Sequence, residues 1–270
     1  MRACGWAVTL AATLKETAMT KTILITGASA GIGQHLAFAF ARRGYNLALA
    51  ARRLESLEAL KAQIAQAHPA IRVEIAALDV NALDSIAPCL AELASRFGGL
   101  DILVANAGIG DGGGLIGTGG FARDAAVIQT NVLGAMATID AAVAIFRKQK
   151  RGQVVAVASV AAARGVPGAA AYCTSKAAIA MYADTARAEL HNTPIKVTTL
   201  FPGYIDTEMN NKMKSRPFLV TVQDGAERIA KLIERGAQEA AVPGWPWGFV
   251  MWLLRRLPTS VIAKQAPFTD

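Results

Sequence analysis

Two side chains in the stretch YCTSK, Tyr172 and Lys176, have the chemistry of a proton-transfer pair. They lie four residues apart in a segment that predicts a helix, so they share one helix face. A free tyrosine has a pKa of about 10, and a nearby ammonium lowers that pKa toward neutrality. Ser159, at the end of a predicted strand, can donate a hydrogen bond to a carbonyl as charge develops on its oxygen. The three residues suggest acid–base chemistry at a carbonyl, although the Tyr-x-x-x-Lys spacing alone is common by chance.

A glycine-rich stretch, TGASAGIG from Thr26 to Gly33, directly follows an apolar run that predicts a strand. Gly27, Gly31 and Gly33 would allow a tight turn and the close approach of a phosphate to the backbone. The free N–H groups and the positive end of the following helix would then hold that anion. The G-x-x-x-G-x-G spacing differs from the general dinucleotide fingerprint, so an ordinary glycine-rich turn is the alternative.

The end of the second predicted strand, LALAARRLESL, indicates which dinucleotide would bind. A carboxylate there would hold the ribose 2′-hydroxyl of NAD, but the chain has Ala51, followed by Arg52 and Arg53. A guanidinium matches a 2′-phosphate in charge and geometry. The residues therefore favour NADP(H) over NAD(H); the alternative is that both arginines only begin a surface helix.

Apolar runs that predict strands alternate with longer segments that predict helices. The predicted strands are 22–26, 46–50, 72–78, 101–105, 153–158, 196–201 and 239–242. The predicted helices are 32–43, 54–67, 82–97, 121–147, 170–191 and 224–235. The runs ILI, LALA, ILVA and VVAVA are apolar throughout, as in strands buried on both faces. We therefore predict one α/β domain, a Rossmann-type doubly wound parallel sheet of about seven strands with helices on both faces.

The composition of the 270 residues fits one domain with a large core, because 53% of them are hydrophobic. The net charge of +8 suits an anionic ligand, but the basic residues are scattered, so we expect no nucleic-acid partner. Three separated cysteines give no disulfide framework and indicate a reducing compartment, which we take to be the cytoplasm. No histidine or cysteine spacing suits a metal, so we expect no metal site.

These motifs occur in an order that resembles the short-chain dehydrogenase/reductase family, from about residue 20 to residue 242. TGASAGIG resembles the family's cofactor turn. Asp79-Val80 resembles the pair that meets the adenine, and Asn106-Ala107-Gly108 the N-A-G after the fourth strand. Pro202-Gly203, with Thr207, resembles the segment near the nicotinamide carboxamide. The cofactor residues that we predict are Gly27, Ser29, Gly31, Ile32, Gly33, Arg52, Arg53, Asp79, Val80, Asn106, Ala107, Gly108, Tyr172, Lys176, Pro202, Gly203 and Thr207.

Four further residues, Asn131, Ser159, Tyr172 and Lys176, are similar to the family's catalytic tetrad. The resemblance implies hydride transfer between the nicotinamide and a carbonyl carbon. Tyr172 would donate the proton in reduction and accept it in oxidation, and Lys176 would bind the nicotinamide ribose and lower the Tyr172 pKa. Ser159 would orient the carbonyl, and Asn131 would help to hold Lys176 through a water.

The chain departs from the family pattern at Ala30, where members that prefer NADP often have a basic residue. The cofactor prediction therefore depends on Arg52 and Arg53. We expect an enzyme that acts on an apolar ketone, aldehyde or secondary alcohol. The alternatives are an NAD-dependent alcohol dehydrogenase or a non-catalytic sensor that binds the cofactor. The resemblance also implies a homodimer or homotetramer built on helices 121–147 and 170–191.

Two terminal segments flank the predicted domain, 19–243. Residues 1–18 predict a disordered extension. The tail, 244–270, includes WPWGFVMWLLRRL, which is too short to span a bilayer. It could cover the substrate cleft or a neighbouring subunit, which we favour, or it could lie on the inner face of a membrane. Either interpretation points to an apolar substrate.

Overall fold

A computed structural model of the chain describes residues 20–110, 114–211, 213 and 215–265. Within them, one sheet contains the strands β1 (Thr22–Thr26), β2 (Asn46–Ala51), β3 (Val73–Ala77), β4 (Ile102–Ala105), β5 (Gly152–Val157), β6 (Ile195–Pro202) and β7 (Glu239–Val242). The strand order is β3-β2-β1-β4-β5-β6-β7, and each neighbouring pair is parallel. The predicted fold class is confirmed. The predicted extension, 1–18, lies outside the described residues.

Helices connect these strands and cover both faces of the sheet. They are α1 (Gly31–Ala41), α2 (Leu54–Ala67), α3 (Leu83–Arg96), α4 (Phe121–Ile128), α5 (Ala135–Gln149), α6 (Ala170–Glu189) and α7 (Val222–Glu234). After β7 the described part of the tail forms α8 (Gly244–Leu254) and a short α9 (Thr259–Ile262). The tail therefore begins with a helix that the sequence pattern had not indicated.

The alternation of side chains along β1 divides the core into two layers. Ile23 and Ile25 point to one face, where they pack with α1, α2 and α7. Leu24 points to the other face, where it packs with α3, α5 and α6. All three side chains are fully buried. An apolar run without polar alternation therefore forms a central strand, because both of its faces are covered.

The helical segment that follows the loop after β4 differs from the prediction of one α-helix over 121–147. A π-helical turn, Gln129–Gly134, separates α4 from α5. Such a turn adds a residue to the helical repeat, and π turns are frequent at functional sites. Asn131 lies in this turn and is buried.

The stretch Phe121–Gln149 is also the one segment in the described part of the chain that is long and apolar enough to cross a membrane. Its mean hydropathy is 1.4, and 44% of its most apolar window is buried inside the protein. Because α5 packs on α3 and on β5, we interpret this stretch as a core helix of the domain.

The sheet reverses its direction of winding at β1, which has β2 on one side and β4 on the other. At such a point the loops that leave the two strands separate in opposite directions. In open α/β sheets the resulting crevice, at the carboxyl ends of the strands, is where ligands bind.

Candidate active site

A cleft of about 410 Å³ lies at the carboxyl ends of the strands. Its volume is within the range of sites for small molecules and cofactors. Of the predicted site residues, the cleft is lined by Gly27, Ser29, Gly31, Ile32, Arg52, Arg53, Asp79, Val80, Asn106, Ala107, Gly108, Ser159, Tyr172, Lys176, Pro202, Gly203 and Thr207. Gly33 and Asn131 do not line the cleft but pack behind it.

The glycine turn between β1 and α1 has a backbone that side chains would block. Gly27 and Gly31 have φ angles of +67° and +55°, a region that favours glycine. A Cβ on Gly33 would lie 2.4 Å from the carbonyl oxygen of Gly27. Ala30 precedes α1 and has no side-chain group that could cap the first N–H groups of the helix. The first residues of α1, Gly31 and Ile32, line the cleft. These features fit an anionic group bound at the helix terminus.

Hydrogen bonds between β1 and β4 hold the glycine turn in place. Asn106 donates from Nδ2 to the carbonyl oxygens of Thr26, at 3.0 Å, and Gly27, at 3.3 Å. The hydroxyl of Thr26 accepts from the backbone N–H groups of Asn106 and Ala107, at 3.2 and 3.3 Å. Asn106 is thus a support of the turn as well as a lining residue. No local pattern indicates the role of Thr26, because that role depends on a contact between residues about 80 positions apart.

Arg52 and Arg53 follow the end of β2 and line the cleft. Arg53 donates to the hydroxyl of Ser29, from Nη2 at 3.3 Å and from Nε at 3.4 Å. Among the described residues, neither guanidinium forms an ion pair with a carboxylate. Two basic side chains therefore lie beside the glycine turn without an acidic partner, and this arrangement fits a further phosphate.

Asp79 and Val80 line the cleft after β3. The Asp79 carboxylate accepts a hydrogen bond from the N–H of Asn81 at 3.0 Å, which turns the chain at this point. Val80 is buried against the π turn, where a Cβ on Gly134 would lie 2.7 Å from the Val80 carbonyl oxygen. Both residues therefore have fixed positions in the lining of the cleft.

Tyr172 and Ser159 meet at the other end of the cleft, where α6 approaches β5. Burial raises the pKa of Tyr172, and a hydrogen bond with Ser159 acts in the opposite direction. The Ser159 hydroxyl accepts from the N–H of Ala161 at 3.2 Å and lies 3.4 Å from the carbonyl oxygen of Pro202. These contacts place the two hydroxyls side by side, where both could reach one carbonyl oxygen.

Lys176 lies one helical turn after Tyr172 and is also buried. Its Nζ donates to the carbonyl oxygen of Val157 at 3.0 Å and lies 5.7 Å from the centre of the Tyr172 ring. Burial lowers the pKa of Lys176 to about 8. The resemblance implies that Lys176 lowers the Tyr172 pKa, whereas in this structure burial dominates and raises it.

Asn131 supports the site from the π turn. Its Oδ1 accepts from the N–H of Ile109 at 2.8 Å, and its Nδ2 donates to the Ile109 carbonyl oxygen at 2.8 Å and to the Ser175 hydroxyl at 3.1 Å. Gly108 lies between Asn131 and Lys176, since a Cβ there would be 3.1 Å from Asn131 Oδ1 and 3.7 Å from Lys176 Nζ. The direct contacts of Asn131 thus join the loop after β4 to α6.

Sequence reasoning missed Trp247, which joins the tail to the site. Trp247 is 5% exposed, and a Cβ on Gly203 would lie 2.1 Å from its Nε1. Its ring also meets those of Tyr204 and Phe218 edge to face, at 5.7 and 5.8 Å. The apolar tail had suggested a cover for the cleft, but only the folded chain identifies which of its tryptophans packs inward.

Other cleft residues that the sequence did not single out include Ile109, Ile205, Glu208, Met209 and Asn210. The last four follow β6, next to the predicted Pro202-Gly203 segment and Thr207. Thr207 lies close to the glycine turn, because a Cβ on Gly31 would be 3.5 Å from its methyl group. The loop after β6 therefore reaches back to the turn after β1.

Comparisons with known proteins agree with this geometry. The family model described as short chain dehydrogenase matches residues 21–217. An uncharacterized oxidoreductase of Mycobacterium tuberculosis is 42% identical over 245 residues, which are 90% of this chain and 96% of the relative. An 11-beta-hydroxysteroid dehydrogenase-like protein of Arabidopsis thaliana is 33% identical, over 90% of this chain and 83% of its own length.

Among solved structures, the alcohol dehydrogenase of the archaeon Thermococcus sibiricus, complexed with 5-hydroxy-NADP, is similar with a TM-score of 0.75. It is 28% identical, and the match covers 83% of this chain and 96% of that protein. Other similar structures hold NADPH or NAD+. The chain belongs to the short-chain dehydrogenase/reductase family and is an oxidoreductase with a nucleotide-binding fold.

Proposed function

We propose that this protein transfers a hydride between NADP(H) and the carbonyl or alcohol carbon of an apolar ketone, aldehyde or secondary alcohol. The observation that carries the proposal is that most of the predicted cofactor residues and most of the predicted catalytic residues line one cleft. The glycine turn with Arg52 and Arg53 lies at one end, and the pair Tyr172 and Lys176 lies at the other. An anion site and a proton donor in one cleft are what a nicotinamide-dependent carbonyl reaction requires.

The cofactor, when bound, supplies the hydride in reduction or accepts it in oxidation. In reduction, Tyr172 donates its hydroxyl proton to the carbonyl oxygen. In oxidation, the Tyr172 oxygen accepts the proton of the alcohol. Ser159 donates a hydrogen bond to that oxygen as negative charge develops on it. The Lys176 ammonium favours the phenolate that Tyr172 leaves behind, and Asn131 positions the loop beside it.

We assign the 2′-phosphate of NADP(H) to Arg52, Arg53 and Ser29. The contact of Arg53 with Ser29 brings a guanidinium to the glycine turn, and Ala51 offers no carboxylate for a ribose hydroxyl. We expect Asp79 and Val80 to meet the adenine, and Pro202, Gly203 and Thr207 to meet the nicotinamide. Of the remaining predicted residues, Gly27, Gly31, Ile32, Asn106, Ala107 and Gly108 form the floor of the cleft, and Gly33 supports the glycine turn from behind.

Titration of NADPH and NADH against wild type, Arg52→Ala and Arg53→Ala tests the cofactor assignment. Arg235→Ala is the control, because this exposed arginine directly after α7 lies outside the cleft. We expect wild type to bind NADPH more tightly. At least one cleft variant should weaken NADPH binding about 10- to 100-fold, the effect expected when one hydrogen bond to a charged group is lost. NADH binding should not change. If NADH binds as tightly and neither variant has an effect, an NAD-linked alcohol oxidation becomes the better assignment.

We also propose an apolar substrate, because Ile109, Ile205 and Met209 line the cleft and Trp247 packs beside it. Oxidation of NADPH with a panel of apolar ketones and aldehydes tests this. A protein that binds NADPH and reduces none of them would be a sensor instead. We further expect a cytoplasmic homodimer or homotetramer whose catalytic domain is 19–243, with 244–270 as an added tail.

A further inference from the structure

Helix α8 is apolar on both of its faces, although only one face is covered by the domain. Its inner face places Trp247 and Met251 in buried positions. Its outer face presents Trp245, Phe249 and Trp252, which are 77%, 51% and 50% exposed. A helix that is apolar all round is normally buried on all sides, so the outer face has the character of a contact surface.

The outer aromatic side chains form a continuous row. The rings of Trp245 and Phe249 lie 6.0 Å apart, and those of Phe249 and Trp252 lie 5.8 Å apart and are stacked. Rings that are packed on each other lose little conformational freedom when they bind a surface. Tryptophan is also enriched where proteins meet the boundary between lipid and water.

The charged residues in the segment that contains this row are all positive. The segment 244–264 contains Arg255, Arg256 and Lys264 and no acidic residue. The guanidinium of Arg256 lies 4.2 Å from the centre of the Trp252 ring and donates to the Trp252 carbonyl oxygen at 3.1 Å. The basic group is therefore held at the edge of the aromatic row, where it would meet an anionic headgroup.

We propose that the outer face of α8 binds the surface of an anionic phospholipid bilayer, with its aromatic row at the headgroup level. The charge pattern favours lipid over a second copy of the chain, because a twofold contact through this face would bring the basic residues of both copies together. The segment Gly244–Leu254 has 11 residues, and its backbone is non-helical at Trp245. It is therefore at most about 16 Å long, so it lies on the bilayer and does not cross it.

The inner face of the same helix connects this surface to the cleft through Trp247 and Gly203. The bilayer would therefore lie near the substrate end of the site, which suits an apolar substrate that partitions into lipid. Lipid binding itself does not depend on the proposed reaction, because it is carried by residues outside the cleft. Its failure and a failure of hydride transfer are therefore separate results.

Flotation of the full chain with vesicles tests the proposal, with phosphatidylcholine alone compared with phosphatidylcholine containing phosphatidylglycerol. We expect the wild type to float with the anionic vesicles and to be released by high salt. The double variant R255Q/R256Q should bind about 30-fold more weakly, from about 1 kcal/mol per basic residue. Its control, R147Q/K148Q, removes two exposed basic residues from the end of α5 and should bind like wild type.

The double variant F249S/W252S should lose flotation while it still binds NADPH, which shows that it is folded. Leu83→Ser, at an exposed apolar residue that begins α3, is its control. The proposal is overturned if wild type does not float, or if F249S/W252S floats as well as wild type. It is also overturned if light scattering shows that F249S/W252S is a smaller oligomer than wild type and wild type does not bind vesicles. The face is then a subunit contact.

Discussion

The hydroxyl of Tyr172 is the group whose removal most directly tests the proposed chemistry. Tyr172→Phe keeps the ring and its contact with Lys176 but removes the proton that the carbonyl oxygen needs. We expect kcat for carbonyl reduction to fall about 10²- to 10⁴-fold, the usual contribution of a positioned general acid. Affinity for NADPH should change little, because the ring and the ammonium remain.

Tyr182→Phe is the matched control, since this tyrosine lies on the same helix but outside the catalytic cleft. It should leave kcat within about twofold of wild type, in line with a substitution that removes no catalytic group. Equal losses of activity in the two variants would indicate a general effect on α6 and would argue against Tyr172 as the proton donor.

At the scale of whole elements, the packing of α8 on the loop after β6 couples the tail to the site. A Cβ on Gly203 would lie 2.1 Å from Trp247 Nε1 and 2.3 Å from Cε2. Gly203→Ala must therefore push α8 outward or displace the loop that begins at Gly203, directly after β6. We expect a loss of about 1 to 3 kcal/mol of stability, typical of overpacking, together with weaker NADPH binding. Thermal unfolding and cofactor titration measure the two effects.

Gly248→Ala is the control for this variant, because a Cβ at that position of α8 meets nothing within 4 Å.

A second test is Trp247→Leu in the Gly203→Ala background. The indole N–H of Trp247 is the buried side-chain polar atom without a hydrogen-bond partner in the described chain, so its removal breaks no bond. The double variant should be less destabilised than the sum of the single variants. Strict additivity would mean that the two residues do not interact.

The elements themselves were largely predictable from sequence, because strands buried on both faces have a simple pattern. β1 and β7 have the predicted bounds, and α2 begins and ends where the pattern predicts. The π turn was not predictable, since its residues have the same helical propensity as α4 and α5. Its position depends on tertiary contacts such as those of Asn131 with Ile109 and Ser175.

The candidate site was also largely predictable as a set of residues, but its internal contacts were not. Tyr172 and Lys176 share a helix, so their spacing reveals them. The contact of Arg53 with Ser29, or of Trp247 with Gly203, joins residues that are far apart in the chain, and no local pattern records it. For the same reason, the sequence could not say that burial would raise the Tyr172 pKa.

On the scale of the whole molecule, the buried ammonium of Lys176 makes stability depend on pH. Burial lowers its pKa to about 8 from the usual 10.5. At pH 7 both states hold the proton, and the folded state holds it at a cost of about 3 kcal/mol. As pH rises above 8, the folded chain releases this proton while the unfolded chain still binds it. The contribution of Lys176 to the free energy of unfolding therefore rises between about pH 8 and 10.5.

Lys176→Met removes this titration and keeps most of the side-chain volume. We compare the free energy of unfolding of the variant minus that of wild type at two pH values. This difference should be about 1 kcal/mol larger at pH 7 than at pH 9. Urea unfolding at the two pH values measures this difference, and the subtraction cancels the titratable groups, common to both proteins, that do not contact Lys176. Lys148→Met, at an exposed position on α5, should show the same difference at both pH values. If the two variants behave alike, the Lys176 ammonium is not destabilised by burial, and its proton is held by a partner that offsets the cost.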